Sequence, residues 1–61
     1  MGSEREILFE FLQVGRSVKV TAIDVDTGVE ASIVGDPHAG QETLRRVARQ
    51  KLDYVIARQK G

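Results

Sequence analysis

The chain has 61 residues, nine Lys or Arg against nine Asp or Glu, one histidine, no cysteine and a formal net charge of zero. That length holds one small domain whose core is thin. The composition excludes a disulfide framework and a thiolate metal site, and His38 alone does not make an ordinary zinc site, so a partner subunit is the common staple left to it.

The first element lies in "ILFEFLQV" and the second in "SVKVTAID", two strands around Gly15-Arg16. A two-residue turn with glycine first favours a type II′ hairpin. That turn pairs Val14 with Ser17, Phe11 with Val20, Phe9 with Ala22 and Leu8 with Ile23. Apolar residues then meet on one face, while Glu10 meets Thr21 and Leu12 meets Lys19 on the other. A slip of one residue would destroy this agreement.

"VDTG" turns the chain, Gly28 taking a left-handed conformation, and Val29 to Val34 alternates as a third strand. Asp24, Asp26 and Gly28 superficially look like a calcium loop. The glycine falls one position early and Gly35 stands where the terminal glutamate belongs, so turn chemistry is the expectation. "GDPHAG" breaks the pattern, and a helix follows from Gly40 or Gln41 with Glu42 in its first turn. Leu44, Val47, Ala48, Leu52, Val55 and Ile56 recur at helical spacing on one face.

The expected fold class is α+β: a three-stranded antiparallel meander followed by one C-terminal amphipathic helix packed on one face, β-β-β-α. Residues 1–6 form a short N-terminal tail and 7–61 the single domain. Ile7, Phe9, Phe11, Val18, Val20, Ala22, Ala31 and Ile33 face the helix. The opposite face carries Leu8, Glu10, Leu12, Val14, Lys19, Thr21, Ile23, Glu30, Ser32 and Val34, five of them apolar. Strand one is also a sheet edge with Glu10 as its one charged guard, and long apolar edges invite pairing. These features predict a homodimer whose interface includes Leu8, Glu10, Leu12, Ile23 and Val34.

Charge is unevenly placed. Up to Gly40 there are three basic and seven acidic residues, net −4; from Gln41 onward there are six basic and two acidic, net +4. Zero total charge favours an acidic half and a basic half attracting each other over an anionic partner. Lys51 is expected to lay its stem along the core, and Tyr54 to add apolar area with a wet hydroxyl.

No apolar run approaches the ~20 residues of a membrane span. "MGSEREILF" has neither a basic region of the secretory kind nor, at Glu6, the Ser or Thr of a myristoylation signal. A cytoplasmic protein without membrane contact is expected. His38, beside Pro37, is read as an ordinary loop residue, with a phosphate contact or general base as the alternative. Ser17 and Ser32 lie in strands with no evident base beside them, so no catalytic residue, cofactor or metal is expected, and no enzyme.

"RRVAR", Arg45 to Arg49, resembles the basic signature opening the last helix of double-stranded-RNA-binding domains, and three strands before it match their order. The resemblance implies phosphate contacts. That family's first helix is absent here, and Lys51 and Leu52 replace its small alanines. A fuller likeness joins "FEFLQVGRSVKVTAIDVDTGVEAS" to "LRRVARQKLDYV". Together they resemble a family of short bacterial proteins of unknown function, in which a hairpin, an acidic turn ending in "TG" and a helix carrying "A..KL.YV" recur. It implies a compact stand-alone domain and no mechanism. The expected function is a non-catalytic, self-associating protein-interaction module. The rival is an RNA-binding module using Arg45, Arg46, Arg49 and His38.

Overall fold

The computed structural model describes residues 5–60. Strands β1 (Ile7–Val14), β2 (Ser17–Asp24) and β3 (Glu30–Gly35) form one antiparallel sheet in the order β1-β2-β3. A 3-10 turn at Pro37–Ala39 leads into helix α1 (Gln41–Lys60). The fold is therefore the β-β-β-α arrangement that the alternating and helical spacings predict.

The hairpin register is also the expected one. Val14 lies opposite Ser17, Phe11 opposite Val20, Phe9 opposite Ala22 and Leu8 opposite Ile23. Gly15 has φ 60°, and no described non-glycine residue has positive φ, so Arg16 does not share it. Positive φ at the first turn position alone is the signature of type II′, whose twist suits the strands on either side.

The second turn is closed by the side chain of Asp24. Its Oδ1 accepts from the N–H of Asp26 at 2.9 Å and of Thr27 at 3.4 Å. Its backbone carbonyl accepts from Gly28 N–H at 2.8 Å, with Gly28 at φ 77°. This is an Asx turn, the local chemistry aspartate favours. β3 begins at Glu30, one residue later than expected, because Val29 belongs to the turn: its N–H donates to Thr27 Oγ1 at 3.2 Å.

The helix crosses β2 and β3 and leaves β1 to one side. Val20, Ala22 and Ala31 from the sheet meet Leu44, Ala48 and Leu52 from α1 in the buried core. Three alanines at the contact let the backbones approach closely. Gly35 serves the same end, since a Cβ there would stand 2.5 Å from Leu44 Cδ2. Ile7, Phe9, Phe11, Val18 and Ile33 flank this centre, partly buried.

Two expectations change in consequence. Phe11 is on the helix side but half-buried, because the helix lies over the neighbouring strands. Val47 is 40% exposed. A helix seated on two narrow strands buries the stripe Leu44-Ala48-Leu52, and Val47 falls outside it.

Of the expected N-terminal tail, residues 1–4 lie outside the described residues. Arg5 and Glu6 are tied to the body. Val25 N–H donates to the Glu6 carbonyl at 3.1 Å. The Arg5 guanidinium bridges Asp24 (3.5 Å to Oδ2) and Asp53 of the helix. Asp24 is fully buried, and its Oδ2 has that ionic neighbour but no hydrogen bond. Such an arrangement makes Asp24 depend on Arg5, since a buried carboxylate without a counter-charge is costly.

Candidate functional site

Two surfaces stand out, one on each side of the sheet. The open face is the simpler. Leu8, Leu12, Val14 and Val34 are 50%, 61%, 52% and 68% exposed, far more than aliphatics inside a core. Leu8 lies beside Ile23, and Leu12, Lys19 and Val34 form a row across all three strands. At the centre, Thr21 and Ser32 satisfy each other through a 2.8 Å hydroxyl hydrogen bond. One hydroxyl donates to the other, which lowers their polarity toward solvent, and the aliphatic side chains around them are interrupted by Glu10 on β1, Lys19 on the central strand and Glu30 on β3. The two sheet edges differ as well. On β3, the Ser32 carbonyl accepts from Lys51 Nζ at 2.7 Å, so the lysine guards that edge. On β1, Glu10 remains the single charged residue of an eight-residue strand.

The second surface lies where the helix leaves β1 uncovered. A groove of ≈ 340 Å³ runs between the β1 aromatics and the near flank of α1, lined by Phe9, Glu42, Arg45, Arg46, Arg49 and Gln50. A further hollow, bounded by Glu42, Thr43 and Arg46, adjoins it at the start of the helix. Arg45 holds its guanidinium 6.0 Å from the centre of the Phe11 ring, a cation–π distance. Phe9 is half-buried and forms part of the floor. The three arginines share this flank because positions three and four apart on a helix are neighbours, which joins Arg49 to both Arg46 and Arg45.

The expected attraction between the acidic half and the basic helix is not carried by any described ion pair to Arg45 or Arg46. Among the described residues, the one ion pair between the halves runs the other way, from Arg5 of the first half to Asp53 of the helix. Arg49 approaches Asp53 within its own helix at 4.0 Å. Arg58 covers Tyr54, ring centre at 5.7 Å, and donates to its hydroxyl at 3.1 Å. No described carboxylate of the first half reaches Arg45 or Arg46.

His38 does not join these arginines. It sits in the 3-10 turn with its side chain 93% exposed and its Nδ1 3.4 Å from Asp36 Oδ1. The same carboxylate oxygen caps the turn through His38 N–H at 2.8 Å. The sequence reading brought together Arg45, Arg46 and Arg49 but missed Phe9, Glu42 and Gln50. Only the lateral placement of the helix puts a strand residue beside them. Among the described residues, no three His, Cys, Asp or Glu side chains gather as a metal site, and no helix is long and apolar enough to cross a membrane.

A family described as a domain of unknown function (DUF6898) matches residues 4–59, nearly the whole chain. No curated protein and no solved structure matches. The likeness to double-stranded-RNA-binding domains gains nothing from these comparisons.

Proposed function

The chain belongs to the DUF6898 family, and from that premise and its surface we propose a small cytoplasmic, non-catalytic module that self-associates through its open sheet face and β1. The observation that supports this reading is the run of half-exposed aliphatics, Leu8, Leu12, Val14 and Val34, on a sheet face that no described element covers. The occupant proposed is a second copy. A two-fold axis parallel to the sheet and crossing the strands at Thr21 lays the Leu12-Lys19-Val34 row of one copy over the Leu8-Ile23-Glu30 row of the other, which brings Lys19 toward the Glu30 end.

Three strands about 4.8 Å apart, with up to eight residues at about 3.4 Å each, give a planar footprint of roughly 14 by 27 Å. That is smaller than the ~800 Å² per partner of a standard stable interface. The dimer should therefore dissociate in the micromolar range, and function as a module whose state follows its concentration. Sedimentation or light scattering from 5 to 200 µM tests this. A mass rising from monomer to dimer is expected, and Leu8→Lys should suppress the rise without lowering the melting temperature of the monomer. A monomer mass at every concentration refutes the proposal.

A further inference from the structure

We propose that the groove between β1 and α1 binds single-stranded nucleic acid, a base lying against Phe9 and the adjoining phosphates meeting Arg46 and Arg49. Three features of the groove carry this inference. Its lining includes Phe9, an aromatic residue that the fold leaves partly exposed. Its wall carries three arginines, and no described carboxylate of the first half pairs with Arg45 or Arg46. Its rim holds Glu42 and Gln50, groups that accept and donate hydrogen bonds.

The aromatic floor decides against a purely electrostatic role. Bases stack on aromatic side chains, and each such contact is worth about 5-fold or more in affinity. Arg45 already lies over Phe11, which pre-orients one guanidinium beside the floor. Glu42 repels phosphate and carboxylate alike, so its contribution is as an acceptor: a nucleobase offers it N–H donors, as cytosine N4 does to glutamate. A ligand carrying both phosphate and N–H groups fits the mixed wall; one carrying only negative charge does not.

Form also favours a single strand over a duplex. A base paired inside an A-form helix keeps its face in the stack, so it cannot lie on Phe9. The adjoining hollow at Glu42, Thr43 and Arg46 continues the path beyond one nucleotide. Arg46 and Arg49 lie three residues apart, about 4.5 Å along the helix axis, so their long side chains serve neighbouring phosphates. His38 takes no part.

The test is fluorescence anisotropy of the full chain with a labelled single-stranded RNA decamer in about 50 mM salt. A duplex of the same sequence and a polyglutamate of equal charge are the comparators. The single strand should bind at least about 5-fold more tightly than either. Its affinity should fall with salt at a log–log slope of roughly −1.4, for two phosphates neutralised. Phe9→Leu, which keeps an apolar side chain but removes the ring, should weaken binding about 5-fold or more, with folding checked by thermal melting. Arg46→Gln with Arg49→Gln, both on the exposed helix flank, should abolish the salt dependence. Arg16→Gln with Arg58→Gln removes equal charge away from the groove and should leave affinity within about 2-fold. No binding at low salt overturns the proposal. So does equal affinity for polyglutamate or duplex, or a folded Phe9→Leu protein that binds like the parent.

Discussion

Replacing Leu52 by alanine tests where the core is centred. Leu52 is fully buried and is the largest of the completely enclosed side chains, between α1 and the β2–β3 pair. Emptying such a site costs about 2–5 kcal/mol, the spread reflecting how far the surroundings collapse. Collapse here is limited, because Val20, Ala22 and Ala48 are already fully buried around it. A domain of this length holds only roughly 3–9 kcal/mol in total. With about 4–8 °C per kcal/mol, Leu52→Ala should lower the melting temperature by roughly 15–30 °C or prevent folding. Phe11→Ala is the informative comparison. Phe11 is the larger side chain, but it is half-buried at the flank. Its loss removes the greater part of a burial worth about 1.5–3 kcal/mol together with about 0.5–1 kcal/mol of Arg45 stacking, for a total of about 1.5–3 kcal/mol without the cavity cost that Leu52→Ala adds. Circular dichroism melts at one protein concentration, so that self-association does not enter, decide the matter. If Phe11→Ala destabilises as much as Leu52→Ala, the helix does not sit over β2 and β3 and the groove beside β1 does not exist.

Arg5→Ala should cost about 1–3 kcal/mol by leaving the buried Asp24 oxygen without its cation, and adding Asp24→Asn should recover part of that loss in a denaturant titration. If the double variant is the less stable, Arg5 is not what Asp24 needs. Gly15→Ala forces a side chain into the left-handed region and should cost roughly 1–2 kcal/mol, read by the same titration; an unchanged midpoint would rule out the type II′ turn. Gly35→Ala should destabilise by about 1–3 kcal/mol through overpacking against Leu44, and pairing it with Leu44→Val should relieve the loss. A neutral Gly35→Ala would mean that the helix stands further from β3.

Much of the architecture follows from local rules alone. The period-two runs, the Gly15-Arg16 turn and the matching of Phe11 with Val20 and Phe9 with Ala22 specify the hairpin and its register, because a one-residue slip exposes every apolar side chain. Helical spacing from Leu44 to Ile56 and the break at "GDPHAG" specify one helix, and alternation specifies which sheet face it leaves open. These are properties of neighbouring residues, so a linear sequence carries them. What tertiary structure alone decides is the lateral position of the helix. Two packings satisfy the same pattern, one centred on the β1 aromatics and one on the β2–β3 alanines, and close backbone approach at Ala22, Ala31, Gly35 and Ala48 selects the second. That choice exposes Val47, leaves Phe9 and Phe11 partly exposed, and opens the groove in which Phe9 meets Arg45, Arg46 and Arg49. It also determines charge pairing. Summed charge suggests that the acidic half neutralises the helix, yet ion pairs form between side chains within a few ångströms of each other. With the helix so placed, Arg5 takes Asp24 and Asp53, and the described carboxylates of the first half do not reach Arg45 or Arg46.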